Sequence, residues 1–176
     1  MFPYLSILLI VLNILLIGCS NLTVAENSQP LSTPALKSNV PITKKLGQQL
    51  PISAIAITPD GAEIQLEVAR KPQEQAMGLM YRPALPDKRG MLFVFPSPLP
   101  ARFWMKNVPV PLDMVFMLNG VVQYIAADVP PCESTPCPTY GPRKLIDQVI
   151  ELRAGHAAEL NLKPGDRITI RHLNKK

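Results

Sequence analysis

The sequence predicts an α+β fold, predominantly antiparallel β: a compact barrel-like or folded sheet of about seven or eight short strands with one or two short helices. Three observations carry that expectation. Apolar residues recur in short alternating or continuous runs, as strands require, across residues 46–174. Turn signals punctuate those runs at Pro59-Asp60-Gly61, Asn119-Gly120 and Lys163-Pro164-Gly165-Asp166. Helical signals are confined to two brief stretches. The chain has 176 residues, which suits one domain and hardly two. With 47 % apolar and 18 % charged residues it can build a core, which excludes a fully disordered chain.

Taken in order, Ile52, Ala54 and Ala56 alternate with Ser53, Ile55 and Ile57 in a run that reads as a buried strand. After the turn at 59–61, Ile64, Leu66 and Val68 alternate with Glu63, Gln65 and Glu67, giving a half-exposed strand and a first hairpin. Pro72 at a helix start, Glu74 in the first turn, and Ala76, Met77 and Met80 on one side predict a short helix. Met91-Leu92-Phe93-Val94-Phe95 is apolar throughout and predicts a fully buried strand. Pro96, Pro98 and Pro100 are expected to end it, since proline has no N–H for a central ladder. Residues 102–106 and 112–118 are further strands, and Asn119-Gly120 turns the second of these into a strand over 121–127. Another strand covers 146–152, followed by a helical turn at 155–160. Pro164 and Gly165 suit the centre of a type II turn before the last strand, 167–171. No internal repeat is visible.

The N-terminus has a different character. Residues 4–18 form an apolar run broken only by Ser6 and Asn13. It is shorter than the roughly 20 residues of a membrane-spanning helix and fits the apolar core of a secretory signal peptide. Leu16-Ile17-Gly18-Cys19 then resembles the lipobox of bacterial lipoproteins. That resemblance implies cleavage before Cys19, a diacylglycerol on its thiol and acylation of the new amine, which together make a durable anchor. The alternative is an uncleaved N-terminal anchor with an incidental cysteine. Both readings place the remaining chain outside the cytoplasm, in the cell envelope and beside a membrane. The organisation is thus a leader (1–18), a lipidated tether (19–45) and a single globular domain (46–174). The tether carries Pro30, Pro34 and Pro41, many Ser, Thr and Asn, and no aromatic residue. It lacks the apolar surface needed to offset the entropy of ordering.

Within the domain a set of motifs occurs in order: Gly78-Leu79-Met80-Tyr81-Arg82, Gly90-Met91-Leu92-Phe93-Val94-Phe95, Phe103-Trp104-Met105-Lys106-Asn107, Leu112-Asp113-Met114-Val115-Phe116, Ile150-Glu151-Leu152-Arg153-Ala154-Gly155, and Gly165-Asp166. With these the chain resembles the bacterial and archaeal family called domain of unknown function 192, over about residues 48–172. The resemblance implies one compact domain, rich in β structure and often exported. It implies no activity and no cofactor.

Polar residues suited to carry chemistry are few. Arg82, Lys106, Asn107 and Asp113 stand out, with Lys106 and Asn107 at the end of one expected strand and Asp113 at the start of the next. A carboxylate in an apolar segment must find donors or change its pKa. One reading is a small polar pocket for an anion or sugar, with Asp113 as general base of a hydrolase acting on an envelope polymer and Lys106 or Arg82 assisting. The other is a structural network, with Asp113 paired to Lys106 or accepting backbone N–H bonds. Trp104 and Asn107 are the candidates for ligand contact, Trp104 as a stacking platform or as core and lip with Phe103. Cys132 and Cys137 enclose four residues. In an oxidising compartment they are expected to form a disulfide, with a metal site or a redox pair as rivals.

Met77, Met80, Met91, Met105, Met114 and Met117 offer soft thioethers suited to Cu(I), but an adaptable core filler explains them as well, and no metal is expected. His156 precedes Glu159 by three residues, a spacing that suits a solvated surface pair or a ligand pair. The net charge of +5 comes from scattered basic residues without a stripe or interleaved aromatics. Nucleic-acid binding needs such a footprint, so none is expected. The expected partners are the membrane, through the anchor, and an unknown small molecule, glycan or protein. The sequence thus favours an envelope lipoprotein with a ligand- or partner-binding module, against a hydrolase or a structural spacer.

Overall fold

A computed structural model of the chain describes residues 47–173; the leader, Cys19, the rest of the tether and Leu46 lie outside the described residues, as do 174–176. The described elements are β1 (Ile52–Ile57), β2 (Glu63–Ala69), α1 (Pro72–Met77), β3 (Arg89–Leu99), β4 (Phe103–Trp104), β5 (Leu112–Leu118), β6 (Val121–Val129), β7 (Thr139–Tyr140), β8 (Ile146–Arg153), α2 (His156–Glu159) and β9 (Thr169–His172). Seven strands form one sheet in the order β6-β5-β8-β3-β2-β1-β9, while β4 and β7 make a separate two-stranded ribbon. The fold is mostly β, as expected, and the sheet does not close into a barrel. The start of edge strand β6 meets the segment that leads into β9: Val121 bridges Arg167, Ile168 N–H donates to Gly120 O, Val122 N–H to Asp166 O, and Gly165 N–H to Val122 O.

All neighbouring pairs in the large sheet are antiparallel except β2 and β3, which run parallel from Gln65↔Arg89 to Ala69↔Phe93. A parallel pair needs a crossover, and here residues 70–88, with α1, provide it. The β5–β6 hairpin turns at Asn119 and Gly120 as expected, both with positive φ (51° and 74°).

Two cores lie on opposite faces of the sheet. One gathers Ala54, Ile64, Leu66, Leu92, Val115, Ile150 and Ile168. The other gathers Met91, Phe93, Met114, Phe116 and Val149 beneath the loops that carry Leu79, Leu85, Met105 and Val108. On β1 it is the small Ala54 and Ala56 that are buried, while Ile55 and Ile57 are half-exposed.

Three expectations require correction. The prolines do not stop β3, which continues through Pro96 and Pro98 to Leu99. Beyond Phe93 it has no β2 partner, and its register with β8 slips between Val94 and Leu99, so no ladder N–H is needed from either proline. The strand expected over 102–106 shrinks to Phe103–Trp104, paired only with β7 at Tyr140 and Thr139, so Lys106 and Asn107 lie in the turn beyond it. Helix α1 buries no residue, and Met77 is exposed. Its stability comes from its ends. The Glu74 carboxylate accepts from the N–H groups of Lys71 and Arg70, which hold its pKa below the ordinary value, and the Gln48 amide donates to the carbonyls of Glu74 and Gly78.

Candidate functional site

The four polar residues singled out in the sequence do not converge. Asp113 is fully buried on β5. Its Oδ1 accepts from the N–H of Asp128 at 2.9 Å and its Oδ2 from that of Ala157 at 2.8 Å. The β5–β6 register explains the first bond. Leu112 faces Val129 and Met114 faces Ala126, so residues 127 and 128 bulge out opposite Asp113. The second bond ties the first turn of α2 to the sheet. Asp113 therefore fastens a bulge and a helix, pairs with neither Lys106 nor Arg82, and has no access to a substrate. The general-base role is corrected on this geometry.

Arg82 has another partner, one that sequence reasoning missed. Its Nη1 lies 2.7 Å from Oε2 of Glu67, a carboxylate only 2 % exposed. Leu50 N–H donates to the same oxygen, and Arg89 Nη2 stands 3.8 Å from Oε1. Glu67 follows the alternating pattern as a solvent-facing position, and its burial comes from the crossover folding back over β2. These groups line a cavity of about 650 Å³ with Tyr81, Gln49 and Gly47.

Trp104 and Lys106 do meet. Trp104 stands 47 % exposed on β4, and Lys106 Nζ lies 5.1 Å from its ring centroid, a cation–π contact. Trp104 borders a second cavity, of about 460 Å³, walled by Phe93, Phe95, Phe103 and Leu99. Phe103 is its fixed inner wall, edge-on to Phe93 at 4.9 Å and to Phe116 at 5.7 Å. Arg102 also lines it, held by Thr139 and by the carbonyl of Gly141. No carboxylate is among the residues lining this cavity. Among the described residues, no Asp or Glu is an ion-pair partner of Lys106 or Arg102. Asn107 takes a different place. It has a positive φ of 58°, its carbonyl accepts from Tyr81 N–H, and its amide reaches the Met80 sulfur at 3.8 Å.

Met91, Met105 and Met114 are buried in one core with half-buried Met80 packed against it, Met117 is buried in the other core, and Met77 is exposed, which fits thioethers that fill the interior. Cys132 and Cys137 are joined as a disulfide. His156 is a correction: it is 8 % exposed, not a solvated surface residue, with Nδ1 2.9 Å from Oε2 of Glu159. Glu159 also receives Arg153, which in turn binds Asp87, and this network lowers the Glu159 pKa, chiefly through Arg153. Among the described residues, no three His, Cys, Asp or Glu side chains gather as a metal site, and no helix is long and apolar enough to cross a membrane.

Glu151 on β8 also escaped the sequence reading. It faces Met91 on one side and Met114 on the other, with no strong donor among them, and burial pushes its carboxyl up to about 8. The folded chain therefore keeps a proton that the unfolded chain releases near the ordinary value of 4.5. This contribution to stability is complete below that pH and is lost as pH rises toward about 8, amounting to about 3 kcal/mol by pH 7. Glu151→Gln is expected to flatten the fall in stability over this window. Urea midpoints at a series of pH values measure it, and an unchanged slope would assign the titration elsewhere.

Comparison with known proteins places this geometry. A family model named DUF192, described as an uncharacterized group, matches residues 55–170, well over half the chain. The chain belongs to the DUF192 family. The match runs from within β1 to within β9 of this DUF192 domain; it takes in every residue lining the Trp104 cavity and all those lining the Glu67 cavity except Gly47, Gln49 and Leu50. A crystal structure of a protein of unknown function from Novosphingobium aromaticivorans DSM 12444 is 34 % identical, with a TM-score of 0.60, covering 66 % of this chain and 83 % of that one. A putative transcription regulator from Sinorhizobium meliloti 1021 is 32 % identical, also with a TM-score of 0.60, covering 69 % of this chain and 97 % of that one. None of the curated proteins matches this DUF192 chain.

Proposed function

We propose that this protein is an envelope lipoprotein, anchored through lipid on Cys19, whose domain is a binding module for an anionic ligand with an apolar or ring-shaped body. One observation carries the binding role: the Lys106 ammonium rests on the face of an exposed Trp104, beside an aromatic cavity that no carboxylate lines. An aromatic wall favours the body of such a ligand by burial and stacking, and the unneutralised cations Lys106 and Arg102 favour its charge. The hydrolase alternative loses its base, because both Asp113 oxygens serve backbone donors. A spacer module has no use for a cavity of this kind. Gene regulation is not favoured either, since among the described residues Arg82, Arg153 and Arg171 are each paired with a carboxylate of the domain, which lowers the positive charge free to meet a nucleic acid. The anchor rests on the Leu16-Ile17-Gly18-Cys19 motif, and Cys19→Ser should abolish lipid incorporation in cells fed labelled palmitate.

Trp104 is the only tryptophan, so its emission reports on the site directly. With the full chain in detergent, phenyl phosphate is expected to shift this emission saturably while benzylamine does not. Lys106→Glu should weaken the response at least tenfold, on the order of the 1.4 kcal/mol that one favourable charge contact supplies. Equal responses to both probes, or an unchanged response in the variant, would rule out an anionic ligand here.

A further inference from the structure

The Glu67 cavity sits apart from the Trp104 pocket in its lining residues and has its own charge balance. We propose that it is a second binding site, for the oxyanion group of a small organic acid or phosphate ester, with Arg89 as the residue that receives it. Two guanidiniums approach one carboxylate in the cavity wall, so one positive charge is left over. The two are not equivalent. Arg82 is nearly buried and bonded to Glu67 at 2.7 Å, and it also donates to Gln48 O, so it serves the protein. Arg89 is 36 % exposed and its contact with Glu67 is 3.8 Å, beyond hydrogen-bond range. Glu67 is its only ion-pair partner among the described residues. Arg89 thus keeps its forked donors for a planar or tetrahedral oxyanion, the geometry guanidinium matches best.

Size and surroundings agree with this assignment. At about 650 Å³ the cavity exceeds a bare ion and suits a small organic body. Pro83, Ala84 and Pro86 give it an apolar wall, and Gln49 adds a neutral polar group. Among the described residues Glu67 is the only carboxylate lining it, and that charge is already taken by Arg82. A cationic ligand would meet an uncompensated guanidinium, and a neutral one would leave it unpaired.

The test uses the full chain in detergent, with inorganic phosphate, glycerol 3-phosphate and glucuronate as probes at constant ionic strength and chloride as the control. Calorimetric titration is expected to show saturable binding of at least one oxyanion, weakened at least tenfold by Arg89→Gln. Preference for glycerol 3-phosphate would identify a phosphate ester, and preference for glucuronate a carboxylate. Binding at this site is read as the part lost in Arg89→Gln and retained in Lys106→Glu, which separates it from the Trp104 site: failure of the phenyl phosphate response would not touch this proposal, and the reverse also holds. Absence of binding to all three probes would overturn it. So would wild-type affinity in Arg89→Gln while circular dichroism shows the variant folded.

Discussion

Asp113→Ala is expected to destabilise the domain by about 3–5 kcal/mol, a large share of the stability of a typical domain. The side chain is fully buried and each of its oxygens accepts one backbone N–H. Hydrogen bonds to a charged acceptor are worth roughly 1.5–3 kcal/mol each. The two donors fare differently after substitution. Asp128 is exposed and its N–H can turn to water, whereas Ala157 is buried and its N–H is left without an acceptor. Asp113→Asn is expected to cost nearly as much, because its amide N must face one of these two donors. Urea denaturation measures both, and amide exchange at Ala157 should accelerate more than at core residues of β3. A loss below about 1 kcal/mol in both variants would mean that the bulge and α2 hold without the carboxylate.

Arg82→Ala is the second large effect. It leaves Glu67, 2 % exposed, with only the Leu50 N–H and a distant Arg89, and breaking a buried pair from one side costs about 3–5 kcal/mol. The informative comparison is a double variant. Glu67→Gln with Arg82→Met removes both charges, so it is expected to be more stable than Arg82→Ala alone, although it has lost more native contacts. Equal stability of the two would show that the cost lies in lost packing and not in the orphaned charge. The same pair explains why Arg82 is unsuited as the ligand contact: its charge is committed to holding the crossover against β2.

The strands were legible because their signals are local. Alternation in 63–69, continuous apolarity in 91–95 and the Asn119-Gly120 turn each depend on neighbours in the chain, and β1, β2, β5 and α1 occupy the positions these signals indicate. Where the reading failed, a partner distant in sequence decided the outcome. Pro96 and Pro98 continue a strand because β2 has ended beside them, and residues 102–106 shorten because only β7 is available to pair. Met77 suits an apolar helix face, yet it stays 37 % exposed.

The candidate site shows the same division. Arg82, Lys106, Asn107 and Asp113 drew attention by their chemistry, but residue type carries no information about which groups will meet. The sequence by itself determined the family, the β-rich class and the placement of most strands, since these follow from periodicity, turn chemistry and ordered motifs. Only the tertiary structure decided that Glu67 is buried against Arg82, that Lys106 lies on Trp104 and that Asp113 binds a bulge and a helix. The physical reason is reach. A side chain's charge state and hydrogen bonds are set within a few ångströms, and at that distance its neighbours here come from residues 15 to 44 positions away as well as from adjacent ones.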